Sequence, residues 1–230
     1  MRLRMLLVPA VATVALLAGC TTTPTPEPTS TPTPTTNGLD AIEAEEILSR
    51  ATEALEAAGS FRITGKGEAD GETVEVDAVF AGEQVQGTFS VTGFELEILV
   101  TEDGSTYIRG GEDLFGSFLG EEAEALLPLI AGKYVKLPGG EGSSFAPTPE
   151  DFITPEGEFT KGEVKAYKGQ PAITLLNEDG DELYISLVGE PYPLAVVSTE
   201  GTMEFSDFGA NVTIEAPADA DVFDLSTFTG

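Results

Sequence analysis

Histidine and tryptophan are absent from this 230-residue chain, and cysteine occurs once, at Cys20. Without histidine, Ser-His-Asp and Cys-His systems and ordinary zinc or copper sites lose their usual proton acceptor or ligand. The motifs Gly-x-Ser-x-Gly and Ser-x-x-Lys and a glycine-rich phosphate loop are missing as well. We therefore expect no catalytic residue, metal or cofactor. The enzyme class left open is one that works with paired carboxylates.

Basic residues are also scarce, with eleven Lys and Arg against forty Asp and Glu and a formal charge of −29. A surface of this sign repels nucleic acid and anionic lipid headgroups. We therefore expect no nucleic-acid partner and no membrane attachment through a basic patch. The acidity fits an exported domain that must stay soluble, and a halophilic habitat would produce the same balance. We expect the folded part to be a monomer.

The N-terminus has the layout of a bacterial lipoprotein signal. Arg2 and Arg4 precede an apolar run from Met5 to Leu17, and Leu17-Ala18-Gly19-Cys20 matches the lipobox. The apolar run is about thirteen residues, short of the ~20 that a spanning helix needs. Residues 1–19 are thus predicted to be a cleaved signal peptide. Acyl chains such as palmitate on Cys20 would hold the protein to the membrane, outside the cytoplasm. An ordinary secretory signal with an unused cysteine is the alternative.

Residues 20–38 contain the lipidated cysteine and a Thr/Pro-rich tether with almost nothing to bury. In the polyproline II conformation such a spacer extends by ~3.1 Å per residue, so it could reach roughly 50 Å. Its predicted role is to hold residues 39–230, one folded domain, away from the membrane. The Thr/Pro tract is either an unmodified tether or a carrier of O-linked sugars.

The domain begins with an amphipathic helix and continues with strands. Asp40 and Glu43 have capping-box spacing, apolar residues recur at helical spacing from Ala44 to Ala58, and Gly59 is a natural stop. Period-two alternation then predicts an antiparallel meander over residues 72–100. An apolar insert, residues 114–130, is predicted to form two short helices broken by Gly116, Gly120 and Pro128.

After the insert we expect a strand at residues 133–137, a short helix near Pro149 to Ile153, and a second meander. Its predicted strands are residues 162–168, 172–177, 181–188, 194–199, 202–207 and 212–215. The segment Asn177–Glu182 has the oxygen groups of a calcium loop without the EF-hand spacing. A solvated hairpin turn is the favoured interpretation, and a metal site is the alternative.

The order of these segments resembles the actinobacterial LppX/LprG-type lipoproteins and, more distantly, the LolA/LolB carriers. The matching residues are the lipobox, Lys133-Tyr134-Val135-Lys136-Leu137-Pro138, and the ending that begins Phe205-Ser206-Asp207-Phe208-Gly209. Tyr134 stands where tryptophan is common in the family. The resemblance implies an α+β fold, a curved antiparallel half-barrel with helices packed on its concave face. It also implies a protein that binds, and can carry, a lipid, a glycolipid or another apolar ligand.

An open sheet with one apolar face needs a cover, and the apolar insert can supply it. If the insert packs loosely, a ligand cavity results; if it packs tightly, the same residues form a filled core. A non-catalytic interaction or structural domain with a filled core is therefore the competing prediction. The residues predicted to line the cavity are Phe80, Phe89, Phe94, Ile98, Phe118, Leu126 and Leu187.

Overall fold

The computed structural model describes residues 36–69, 71–92, 94–119, 123–138, 147–153 and 158–227. The side chains of residues 69, 117–119, 123–125, 150 and 151 are outside that description. The described residues all belong to one unit, Pro34–Gly230. Cys20 lies outside them, so its acylation stays a prediction.

Four helices and twelve strands occur in the described part of the chain. The helices are α1 (Ala44–Ala58), α2 (Glu112–Leu119), α3 (Ala123–Ile130) and α4 (Glu150–Ile153). The first six strands are β1 (Ser60–Ala69), β2 (Glu72–Ala81), β3 (Gln84–Val91), β4 (Phe94–Val100), β5 (Thr106–Gly110) and β6 (Tyr134–Lys136). The others are β7 (Thr160–Tyr167), β8 (Gln170–Leu176), β9 (Glu182–Ser186), β10 (Pro193–Val197), β11 (Gly201–Ser206) and β12 (Val222–Asp224).

All twelve strands form one open, curved sheet in the order β12-β6-β5-β4-β3-β2-β1-β11-β10-β9-β8-β7. Two meanders meet where β1 pairs with β11, so the sheet has two edges and does not close into a barrel. The predicted α+β class is confirmed at this level. The pairing of β12 with β6 is parallel, which corrects the expectation of a purely antiparallel sheet. A parallel pair needs no local turn, so nothing near Val222 in the sequence signals it.

Helix α1 runs from Ala44 to Ala58, as predicted, and ends at Gly59 with φ 71°. The left-handed conformation of Gly59 is one that glycine adopts without a Cβ clash. The predicted capping box is wrong, because the N-cap residue is Glu43 and makes no side-chain capping bond. Asp40 instead lies in a separate 3-10 turn, Leu39–Ala41.

One face of the sheet is apolar and carries the helices. Side chains alternate along each strand, so cross-strand partners share a face. The main core cluster joins this face to Leu55 of α1, Phe115 of α2, Ile130 of α3 and Ile153 of α4. One continuous row of the face runs through Phe205, Ile63, Ala78, Gly87, Ile98, Ile108 and Val135.

A second core cluster lies under the first half of α1. Ile47 and Ala51 pack there against buried residues of β8 and β9, including Ile173 and Ile185. Leu55, about two turns after Ile47 in α1, belongs to the main cluster. The small side chain of Ala51, which is 1% exposed, lets the helix lie close to the sheet. Helix α1 therefore covers parts of both meanders.

Other sequence expectations are confirmed or corrected by the structure. The insert forms two short helices, yet Gly116 and Pro128 lie inside α2 and α3 rather than between them. Pro128 removes one backbone donor from α3, and the packing of Leu127 and Ile130 into the main core offsets that loss. Residues 212–215, predicted as a strand, are irregular. Ile214 and the partly buried Val212 pack there against a small cluster with Leu99 and Tyr107, on the side of the sheet opposite the main core.

Candidate functional site

The apolar face continues beyond the helices as a groove on strands β1, β2, β10 and β11. Gly65 follows Ile63 by two residues in β1, so both positions lie on the helix-bearing face of the sheet. The flanking Val76, Val196 and Met203 pack partly buried against the main core cluster. The groove has a volume of about 230 Å³. Its lining comprises Gly65, Lys66, Gly67, Glu68, Val74, Val76, Val196, Ser198, Glu200, Gly201, Thr202 and Met203.

The floor of this groove consists of three glycines. Gly67 pairs directly with Gly201 across the β1–β11 ladder. A Cβ on Gly201 would lie 2.4 Å from the Cα of Gly67, which no real Cβ tolerates. A Cβ on Gly65 would lie 2.9 Å from Cγ1 of Val76. The groove thus exists because these strand positions carry no side chain, and glycine within a strand often marks such a close approach.

Apolar side chains extend this surface across the neighbouring strands. Val76 pairs with Phe89, and Phe89 pairs with Leu96, so the three lie side by side on β2, β3 and β4. Phe89 and Leu96 are partly buried against the main cluster. Phe94, at the start of β4, is 40% exposed. In the strand register Phe94 connects through Val91 to Val74 of the groove lining, so the apolar surface extends from the groove to the start of β4.

The predicted pocket residues are distributed over several environments. Phe80 and Ile98, 1% and 5% exposed, lie in the main core. The ring of Phe80 stacks on Phe61 with centroids 4.8 Å apart and meets Phe152 edge-on at 5.8 Å. These rings fill the space beside α4.

Two more of the predicted residues, Phe89 and Leu126, are partly buried and pack against the same main cluster. Leu187 does not join them, because it belongs to the second cluster under α1. Phe94 lies two strand spacings from Val74 of the groove lining, and the side chain of Phe118 is outside the described residues. Gly65, Gly67, Gly201 and Met203 were not among the residues predicted to bind a ligand. The signal that could have found the glycines is their place inside a stretch of strand-forming residues.

The opposite face of the same strands is polar and rich in ion pairs. Arg62 donates from Nε and Nη2 to the carboxylate of Asp77 at 2.8 and 2.5 Å. These bonds lower the pKa of Asp77 and raise that of the Arg62 guanidinium. Arg109 donates to Glu97 at 2.5 Å and lies 4.4 Å from the ring centroid of Tyr134. Burial and its hydrogen bond to Glu97 raise the pKa of Tyr134.

A second polar group lies on the other meander. Tyr167 Oη donates to Glu204 at 2.7 Å, and Lys168 Nζ donates to the same carboxylate at 2.6 Å. Both bonds lower the pKa of Glu204, while burial, followed by the bond to Glu204, raises the pKa of Tyr167. Lys165 and Tyr184 bond Glu182 in the same way and lower its pKa. Glu204 and Glu182 are therefore ionised at neutral pH, where they accept hydrogen bonds and do not donate protons.

The segment that resembled a calcium loop is a hairpin turn between β8 and β9. Asn177 Nδ2 donates to Asp181 Oδ2 at 2.9 Å, and the Asp181 amide donates to Asn177 Oδ1 at 2.8 Å. The Asn177 side chain thus bonds both the side chain and the backbone of Asp181 and closes the turn. Within the described residues no group of three Asp or Glu is placed to hold a metal ion.

No helix of the described part is long and apolar enough to cross a membrane.

Comparisons with known proteins give distant structural neighbours only. No family model and no curated protein matches the chain. An uncharacterized conserved protein from Thermus thermophilus is similar at 15% identity and TM-score 0.36, covering 79% of this chain and 98% of its own. MucB is similar at 21% identity and TM-score 0.38, and MucB in complex with MucA(peri) at 17% and 0.33. This chain spans 63% and 58% of those two MucB chains. Similarity this low identifies neither a family nor an activity.

Proposed function

We propose that this protein is a cell-envelope lipoprotein, anchored through acyl chains on Cys20, that binds the hydrocarbon chain of a lipid in the glycine-floored groove. In this proposal the curved sheet is a half-barrel of the LppX/LprG type, with the helices on its concave side, and the protein is a binder rather than an enzyme. The observation that carries it is the side-chain-free floor of Gly65, Gly67 and Gly201 on an otherwise apolar face.

The dimensions of the groove favour an unbranched chain. Its volume of about 230 Å³ is below the ~300–1,000 Å³ of pockets that enclose drug-sized ligands. Val76 and Met203 flank Gly65 on the two neighbouring strands, so their backbones are about 10 Å apart. A polymethylene chain fits between these two side chains, whereas a ring system would have to displace them. Burial contributes ~0.8 kcal/mol per methylene, so ten covered methylenes would supply about 8 kcal/mol before ordering costs.

The charges at the groove favour a ligand with a neutral headgroup. Lys66 is the cation of the lining, and it is bonded to Glu75 on the polar face. Glu68 and Glu200 add negative charge to the rim. A phosphate or carboxylate headgroup would be repelled by these two carboxylates. A neutral or glycosylated headgroup that remains in solvent meets no such penalty.

The test compares two valine-to-phenylalanine variants. Val76→Phe fills the groove from its wall, whereas Val164→Phe adds the same atoms to a side chain that is 57% exposed on edge strand β7. Binding of a fluorescent monopalmitoyl glycerol, a neutral single-chain probe, would be followed by titration. We expect Val76→Phe to weaken binding at least tenfold and Val164→Phe to leave it within twofold. Equal affinity of the two variants, or no binding by the unaltered protein, would contradict the proposal.

A second candidate function has an observation in its favour. The ring of Phe80 stacks on Phe61 and meets Phe152 edge-on, and Ile98 is buried, so the region under the helices has a filled core. That is the arrangement expected of an interaction domain displayed on a tether. Native mass spectrometry of the protein purified from its own host separates the two. A retained lipid favours the binder, and a mass with no adduct favours the interaction domain.

A further inference from the structure

The polar face of the sheet carries a groove of about 520 Å³ directly behind the glycine-floored groove. Four half-buried residues with hydroxyl groups line it, Thr64, Thr88, Ser90 and Thr202. None of the four hydroxyls hydrogen-bonds to another side chain or to the backbone within the described part of the protein. Each hydroxyl offers one donor and two acceptor positions. Together they present a set of neutral hydrogen-bonding groups to a ligand.

The strand register arranges these hydroxyls in two rows. Thr64 and Thr88 flank Asp77, two strand spacings apart. Thr202 and Ser90 lie at the ends of the next row, three strand spacings apart, with Lys66 and Glu75 between them. Neighbouring strands are ~4.8 Å apart, so the second row extends over about 14 Å. A ligand that uses all four hydroxyls must be elongated and polar along its length.

The three carboxylates that line the groove are each already paired with a cation. Asp77 accepts two bonds from Arg62, Glu75 accepts one from Lys66, and Glu204 accepts one from Lys168. An anionic polymer would meet these three carboxylates, and a cationic peptide would have to compete with three existing ion pairs. A neutral ligand can accept and donate hydrogen bonds here without breaking either kind of interaction.

An aromatic pair adjoins the groove at Glu204. The rings of Tyr167 and Tyr184 are 5.1 Å apart, and the Tyr167 hydroxyl is fixed on Glu204. Ala195 separates Tyr184 from Glu204 in the strand register and adds only a methyl group. The pair therefore places amphipathic ring faces beside the hydroxyl rows. Tyrosine combines a flat apolar face with a polar tip, which suits the C–H faces and hydroxyls of a sugar ring.

We propose that this polar groove is a binding site for a neutral glycan chain, held by Thr64, Thr88, Ser90 and Thr202 and flanked by the Tyr167–Tyr184 pair. The proposal concerns the face opposite the lipid groove and does not depend on lipid binding. Combined with an envelope location, it would let the tethered domain contact a polysaccharide while its other face holds an apolar ligand.

The test is affinity electrophoresis of the full chain through gels that contain a neutral polysaccharide, with dextran, mannan, xylan and glucan in separate gels. We expect retarded migration with at least one of them, and isothermal titration with the corresponding tetra- to hexasaccharide would give its Kd. The double variant Thr64→Val, Thr88→Val removes two hydroxyls with little change of shape. Loss of two hydrogen bonds is expected to weaken that Kd about tenfold or more.

Thr160→Val is the matched control, since Thr160 is an exposed threonine on the far edge strand β7. It should leave retardation unchanged, and circular dichroism melts would show that both variants fold. Three results would overturn the proposal: no retardation by any of the neutral polysaccharides, equal retardation of the double variant and the control, or stronger binding to oligolysine or heparin than to every neutral polymer.

Discussion

Two parts of the same apolar face have different side chains and therefore different structures. Under the helices, Phe61 and Phe80 are 4% and 1% exposed and fill the space with stacked rings. Two pleats further along β1, Gly65 and Gly67 carry no side chain, and the face opens into a groove. Both parts lie on the same strands and face the same side. The comparison shows that side-chain size along one strand decides where the sheet has a core and where it has a binding surface.

The largest expected effect tests the filled part. Phe80→Ala removes a ring that packs on Phe61 and Phe152, so we expect a loss of about 3–5 kcal/mol in the free energy of unfolding. Phe94→Ala removes the same ring from a 40% exposed position and should cost less than about 1 kcal/mol. Urea denaturation of both variants measures the difference. Similar losses would mean that the region under the helices is not a packed core.

The next effect tests the glycine floor. In Gly201→Ala the new Cβ would lie 2.4 Å from the Cα of Gly67 and 2.5 Å from the carbonyl oxygen of Lys66. Both are backbone atoms, so the strands must separate, and we expect a loss of about 1–3 kcal/mol. Gly111→Ala, which meets nothing within 4 Å, should be neutral or stabilise by up to about 1 kcal/mol. Thermal melts that rank the two variants in the opposite order would contradict the close approach.

The smallest expected effect concerns the charge of Glu204, because Glu204→Gln removes the charge and keeps the size of the side chain. The pKa of Glu204 lies below its ordinary value of 4.5 because Lys168 and Tyr167 bond its carboxylate. Its stabilisation is therefore present above about pH 4.5 and is lost as the pH falls through the lowered value. Glu204→Gln lacks this contribution, which we expect to be below about 1 kcal/mol since the side chain is 34% exposed.

Urea denaturation from pH 7 to pH 3 measures this contribution as the difference between the original protein and Glu204→Gln. Relief of repulsion within a chain of charge −29 affects both proteins alike and cancels in the difference. The difference should shrink on acidification, and a difference that grows would contradict the assigned hydrogen bonds.

The sequence predicted those elements whose signals are local. Helix α1 has a continuous apolar stripe and a glycine stop, and β2 to β4 alternate and are joined by short turns, so both were found. Strand β1 was missed, because its alternation ends at Ile63 and Gly65 and Gly67 follow. The same glycines form the groove floor. One physical cause, the absence of side chains on a strand, therefore hid both the strand and the candidate site.

Non-local partners explain the other differences. Strand β12 has three residues and pairs in parallel with β6, more than eighty positions away in the sequence. Residues 212–215 alternate like a strand but pair with none of the twelve described strands, and of these four residues only Ile214 is fully buried. Phe80 and Leu187 were predicted to line one pocket but belong to different core clusters. Alternation along a strand shows which face of the sheet a residue occupies, but not which cluster it joins.

Methyl NMR with a spin-labelled lipid tests the central claim most directly. A neutral monoacyl glycerol with a nitroxide on its chain broadens methyl signals near the hydrocarbon it carries. We predict that Val76, Val196 and Met203 in the groove broaden first, while Ile98 under the helices and Leu126 of α3 stay sharp. Preferential broadening of Ile98 and Leu126 would place the chain beneath the helices. That result, or equal broadening of all methyl groups, would contradict the glycine-floored groove as the binding site.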